Sequence, residues 1–364
     1  MPDLFAKSYS RKELMKRVGD ISQVGGVRAY TLSDGRAKGV EVLQFRTGTG
    51  FTFEVLPGRG MDVSYAEYRG KALGWISSTG VVAPEHYEPE GIAWLRGFFG
   101  GLLTTCGLTA AGAPCEDAGQ ALGLHGRISN IRAHDVGHWA EWEGDDYVMC
   151  ARGAVRQSVV FGENILLDRT ITARLGESSF ILEDRITNEG FAPQPFMLLY
   201  HINSGFPAID GGARLVSPTR SAKPRDAAAT AEAKKYMEVL PPTHGFAERC
   251  YYHDMASLKD GTVLAGMVNP SCEGSGFGFY VKYNKKHLPK FTEWKMCGEG
   301  DYTVGLEPAN CWVEGRAKER SRGTLQTVKP GETRLVRMEF GVLDGAEAIE
   351  RFERRVENIR KRGS

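Results

Sequence analysis

No stretch of this 364-residue chain approaches the ~20 consecutive apolar residues that a membrane span requires. Its opening residues, Met1 to Lys7, lack the apolar core of a secretory signal, so a cytoplasmic location is expected. Charge of one sign is also missing: 46 Lys and Arg stand against 45 Asp and Glu. A chain so nearly neutral exerts no bulk pull on nucleic acid or an anionic membrane, and neither is expected as a partner. The one local exception is the basic run Arg351–Arg362, whose interleaved Glu350, Glu353 and Glu357 read as a solvated helix face. The seven cysteines are dispersed and none is in C-x-x-C spacing, which argues against a zinc ribbon or a thioredoxin-type site. They read as reduced thiols, with Cys106 and Cys311 as packing residues. Glycine-rich phosphate loops, H-E-x-x-H and G-x-S-x-G are all missing. His134 and His138 are four apart, but they sit in a strand–turn pattern with no further ligands nearby, and no metal site is expected there.

What remains is the composition of a globular protein, 41% hydrophobic and 25% charged, long enough to bury a large core. Most of it reads as β. Phe51, Phe53 and Val55 alternate with Thr52 and Glu54, which places one face in a core. The runs Ile165–Leu175 and Ser179–Thr187 flank Gly176-Glu-Ser as a hairpin, although Asp184 falls on the same face as Phe180, Leu182 and Ile186. Helix is expected at Ser10–Val18 and at the C-terminus. There Asp344 and Glu347 have capping-box spacing, and Ile349, Phe352, Val356 and Ile359 form one apolar stripe. Pro218–Lys235 reads as a solvated loop with a helical turn. With no repeat and no linker, the chain reads as one all-β domain, with residues 1–36 as an extension and 344–362 as a helix packed on it.

Four segments set reactive residues among glycines and prolines, where rigid scaffolds tend to hold their sites. In Leu56-Pro-Gly-Arg-Gly-Met-Asp62 the glycines would aim Arg59 at paired hydroxyls or a carboxylate; the alternative is a turn closed by an Arg59–Asp62 contact. In Gly123-Leu-His-Gly-Arg-Ile-Ser-Asn130, an extended backbone would point His125 and Arg127 to one side. In Leu199-Tyr-His-Ile-Asn-Ser-Gly-Phe-Pro207, an apolar strand delivers His201 and Asn203 to one face, as an acid and a hydroxyl-binding amide. The fourth segment, Glu293–Asn310, offers Trp294 as a flat face for sugar C–H groups. It also places Glu307 before Pro308, where burial would raise its pKa and make it a base.

These segments, in this order, resemble the aldose 1-epimerase (galactose mutarotase-like) superfamily. The carriers are Leu124-His125-Gly126, Tyr200-His201-Ile202-Asn203 and Gly305-Leu306-Glu307-Pro308. Gly-Arg-Gly-Met-Asp, His-Gly-Arg-Ile-Ser-Asn and Gly-Leu-Glu-Pro-Ala-Asn are similar to the signatures of its DUF4432 branch. The resemblance implies a large antiparallel β-supersandwich with a site on its concave face. Glu307 would take a proton from the anomeric hydroxyl, and His201 would give one to the ring oxygen. His125 and Arg59 would hold hydroxyls and the ring oxygen, with no cofactor required. Asn203, Trp294 and Asn310 are candidates at the sugar on their own chemistry rather than on the resemblance. Arg127 and Lys295 are cations beyond that pattern and would suit an acidic, phosphorylated or keto-sugar. Three functions follow: anomer interconversion of a sugar or sugar derivative, a lyase or isomerase reaction on a keto- or acidic sugar, and carbohydrate binding without turnover.

Overall fold

The computed structural model describes residues 1–363. Two large antiparallel sheets share one hydrophobic core, and a smaller five-stranded sheet closes one end. The smaller sheet runs in the order Gly26–Thr31, Glu41–Arg46, Phe51–Leu56, Asp62–Tyr68, Lys71–Ala72. In its central strand Phe51, Phe53 and Val55 are buried, as their alternation requires, and Phe53 stacks on Phe45 and Phe180.

The eight-stranded sheet contains the expected hairpin: Asn164–Arg174 pairs with Ser179–Asn188, and the latter continues onto Thr333–Asp344. The exception in its alternation has a structural cause. Asp184 is buried because Arg169, itself fully buried, bridges it at 2.7 Å to Asp62 at 2.9 Å. The Tyr200 hydroxyl also donates to Asp184, at 2.6 Å. One ionic cluster therefore ties all three sheets together with its hydrogen bonds filled, the condition under which buried charge is tolerated. His134 and His138 lie on the edge strand His134–Glu143, interrupted by a bulge, and not on a helix.

The third sheet carries the site. Its order is Thr104–Leu108, Gln194–Ser204, Tyr302–Ala309, Lys290–Cys297, Arg249–Met255, Thr219–Pro224, with Gln326–Val328 paired to the start of the second. The segment read as a solvated loop thus supplies an edge strand, Thr219–Pro224, before the short helix Ala227–Ala231 capped by Asp226.

The C-terminal helix spans Ala346–Arg362, and Ile349, Phe352, Val356 and Ile359 pack on Leu264, Val268 and Leu343 of the eight-stranded sheet. Its cap differs from expectation. Gly345, at φ 85°, is the N-cap, while Asp344 turns away to Arg69 and Lys71 and Glu347 pairs with Arg351. The first helix is shorter than expected, Arg11–Met15, and Ser10 with Glu13 forms a complete capping box. Among the described residues no helix is long and apolar enough to cross a membrane, and all seven cysteines are free.

Candidate active site

The register of two neighbouring strands creates the site. Gln194–Ser204 pairs with Tyr302–Ala309 so that Ile202 meets Leu306 and Leu199 meets Ala309, which sets His201 opposite Glu307. Residues directly opposite in an antiparallel pair point to the same face. Accordingly His201 Nε2 lies 3.3 Å from Glu307 Oε1. On the next strand Trp294 faces Gly305, and one strand further Cys250 faces Trp294. Gly305 makes room here: a Cβ would stand 3.1 Å from the Glu307 carboxylate and 3.2 Å from Trp294, so one of them would have to shift by a few tenths of an ångström.

This face floors a cavity of about 590 Å³. Trp75, Trp94, Phe98 and Trp294 line it, so three of the six tryptophans converge here. Phe98 and Trp294 each meet the His201 ring edge-on, with centroids 5.2 Å away. His125 reaches the same cavity, 5.6 Å from His201 between ring centroids. The Gly112 N–H points at its Nδ1 at 3.4 Å, which leaves Nε2 to carry the proton. Arg225 and Glu248 form another wall: Arg225 binds Glu248 and Asp226, and Glu248 accepts from Trp294 Nε1 at 2.9 Å.

Burial dominates the electrostatics. Glu307 is 2% exposed and its pKa is pushed up to about 8, chiefly by desolvation, with Glu248 adding to the rise and Arg225 opposing it. Desolvation lowers His201 to about 4, partly offset by Asn203 and Glu248. It lowers His125 to about 3, reinforced by His201. Among the described residues, Glu307 Oε2 and His201 Nδ1 have no hydrogen-bond partner. A buried carboxyl oxygen and a buried imidazole nitrogen left open beside a cavity are available to a ligand.

Of the residues expected at the site, the structure brings together Glu307, His201, His125 and Trp294. The other five do not line the cavity, each for a definite reason. Arg59 is 1% exposed and donates to the carbonyls of Ser129, Val82 and Gly97; Asp62, its suspected partner, is taken by Arg169 and Thr105. Asn203 does share a face with His201, but its amide donates to the carbonyls of Gly100, Gly101 and His201. Asn310 bridges neighbouring chain by accepting from Leu198 N–H and donating to Phe196 O. Lys295 follows Trp294, so the two-residue period turns it to the opposite face, where it caps the carbonyls of Lys235, Tyr236 and Glu238. Arg127 fails because its segment is not extended. His125 and Gly126 are left-handed at φ 57° and 74°, so Arg127 points into a separate cleft beside Glu90 and Glu116. The two cations that argued for an acidic or keto-sugar therefore do not line the cavity.

Trp75, Trp94, Phe98, Arg225 and Glu248 escaped the sequence reading. Trp94 sits in a 3-10 turn and Trp75 in a two-residue strand, neither of which has a periodic signal. Arg225 and Glu248 are 23 residues apart and meet only when the sheet forms.

A sandwich of this kind, with its site on one sheet, is the galactose mutarotase-like fold. The similarities agree. A crystal structure from Klebsiella pneumoniae, provisionally named an aldose 1-epimerase, matches 93% of this chain and 88% of its own, with TM-score 0.88 and 25% identity. A galactose mutarotase-like protein from Clostridium acetobutylicum superposes with TM-score 0.59 at 13% identity, over 88% of this chain and 99% of its own. Galactose 1-epimerase from Lactobacillus acidophilus does so with TM-score 0.55 at 13% identity, over 88% and 100%. No curated protein matches the chain. The family model described as "Domain of unknown function (DUF4432)" matches residues 37–342, and the chain belongs to that family.

Proposed function

We propose that the protein is an isomerase that interconverts the anomers of a sugar, with Glu307 and His201 exchanging protons with O1 and O5. The observation that carries this reading is the buried pair itself: a carboxyl raised to about 8 and an imidazole lowered to about 4, in contact beside an aromatic cavity. Between those values the pair holds one proton in total, resting on Glu307 with His201 neutral, and ring opening proceeds from the minor form in which that proton has passed to His201. In ring opening, the Glu307 carboxylate takes the O1 proton as C1=O1 forms, the C1–O5 bond breaks, and the His201 imidazolium protonates O5. This leaves Glu307 protonated and His201 neutral. Rotation about C1–C2 presents the other carbonyl face. On closure His201 takes the O5 proton as O5 attacks C1, and Glu307 returns a proton to O1. Nothing is consumed, and the pair passes between its two one-proton forms, which differ by transfer across 3.3 Å. Each positioned proton transfer is worth ~10²–10⁴-fold. The aromatic walls suit the apolar C–H faces of a sugar ring, and the provisional name of the Klebsiella relative points to the same reaction.

The test is anomer exchange followed by NMR on freshly dissolved aldoses, uronic acids and keto-sugars. Acceleration on at least one reducing sugar, with only anomers formed, supports the reading. New constitutional isomers, or no acceleration on any sugar, would sink it. The rate should hold between about pH 4 and about pH 8 and fall outside, because the pair gains a second proton below and loses its only one above.

A further inference from the structure

The cavity has room beyond a bare hexose and is apolar on one side. A hexose has twelve heavy atoms and fills roughly 200 Å³ at the packing density of a protein interior. The cavity, about 590 Å³, leaves room for a second group of similar size or larger. One wall is assembled from three separate segments. Leu124 N–H bonds to Gly91 O, and Ala113 N–H bonds to Val313 O, both at 2.8 Å, so the segments stand side by side. Beyond His125 and Trp94, whose indole Nε1 is buried without a partner among the described residues, this wall shows the cavity Ile92, Leu95, Pro114, Leu124 and Val313, with no hydrogen-bonding side chain among these five. Ile92 and Leu95 occupy one turn, joined by a 3.1 Å backbone hydrogen bond, and are 64% and 47% exposed. Large aliphatic side chains left open at the rim of a cavity mark a surface that a ligand covers.

The polar groups lie on other segments, and several are already engaged. Ser77 and Thr79 both donate to Phe98 O, while Arg225 and Glu248 hold each other. Sugar hydroxyls turned toward the side chains of Ile92 and Leu95 would lose water and gain no partner there, which is unfavourable. An apolar group placed there loses nothing. We propose that the substrate is a reducing sugar carrying an apolar substituent, an ether- or ester-linked alkyl or aryl group, on a carbon remote from C1. The substituent lies against Ile92, Leu95, Pro114, Leu124 and Val313. The free anomeric hydroxyl rests on the mutarotase reading above; the apolar subsite rests on the wall alone.

The test measures binding, by calorimetry on the wild-type protein, for matched ligands: D-glucose, D-galactose and D-mannose, their 3-O- and 6-O-benzyl ethers, and maltose. At least one benzyl ether should bind tenfold or more tightly than both its parent sugar and maltose. Ile92→Asn with Leu95→Asn, at exposed positions that leave the melting temperature in place, should remove that gain. The proposal is overturned if no ether gains affinity, if maltose gains as much, or if the double variant keeps the preference. Anomer exchange is read separately on the same ligands. Tight benzyl-ether binding without faster exchange would defeat the mutarotase reading and leave the subsite standing. Fast exchange of plain sugars with no benzyl preference would do the reverse.

Discussion

The two faces of the site sheet each carry a buried histidine–glutamate pair at the same separation. On the cavity face His201 Nε2 lies 3.3 Å from Glu307 Oε1; on the opposite face His253 Nε2 lies 3.3 Å from Glu293 Oε2. Residue type, burial and distance do not distinguish them. Their neighbours do. On the back, His253 Nδ1 contacts Thr219 Oγ1 at 2.8 Å, and the Lys295 ammonium stands 3.8 Å from Glu293 while binding three carbonyls. On the front, among the described residues, no ammonium stands within salt-bridge range of Glu307, and an oxygen and a nitrogen of the pair have no hydrogen-bond partner beside the cavity. Among the same residues, the back pair leaves only Glu293 Oε1 without a hydrogen-bond partner, and that oxygen has the Lys295 ammonium 3.8 Å away, so the pair reads as structural reinforcement. A pair held short of partners beside a cavity is poised for a ligand.

The comparison can be broken in several ways. The largest effect is expected from His201→Asn combined with Glu307→Gln. Each change alone should lower anomer exchange by ~10²–10⁴-fold, and the double variant should be little worse than either, because the two residues act as a unit. Additive losses, measured by exchange NMR, would mean that they act in separate steps. On the back face, Lys295→Met leaves three carbonyls and Glu293 without their cation. It should cost about 3–5 kcal/mol in denaturant unfolding, the scale of a broken buried pair, while activity per folded molecule is retained.

A smaller effect distinguishes the front pair by pH. The Glu307 pKa is raised in the folded state from an ordinary 4.5 to about 8, so its contribution to stability is fully present below 4.5 and is lost as pH rises through that window. Glu307→Gln has no proton to lose. Relative to wild type it should gain stability, by roughly 3–4 kcal/mol, between pH 5 and pH 8. A constant difference across that range would show that Glu307 is not held neutral by burial.

How much of this was legible in the sequence follows the period of the strands. Glu307, His201 and Trp294 lie on regular strands, where the two-residue alternation carries a side chain's direction, and their cavity face could be read in advance. Lys295 shows the cost of ignoring the same rule: adjacent to Trp294, it had to face the other way. Arg59, Asn203 and Asn310 have the chemistry of substrate-binding residues, but their partners are backbone carbonyls brought in by the fold. Arg59 reaches Ser129, seventy positions along the chain. No local pattern separates an arginine that clamps loops from one that binds a ligand. Arg127 was lost to two left-handed residues that broke the extended geometry on which its placement depended. The fold was more legible than the site because alternation, hairpins and an apolar helical stripe are local signals. The ring of Trp75, Trp94 and Phe98 is not, since it is made by irregular turns.

The most direct test compares Glu307→Gln with Glu293→Gln, each checked for a cooperative melting transition, in anomer exchange on the sugar that wild type accelerates best. The account predicts that Glu307→Gln loses at least ~10²-fold while folded, and that Glu293→Gln keeps its rate per folded molecule at a lower melting temperature. Equal losses in both, or full activity in Glu307→Gln, would contradict it.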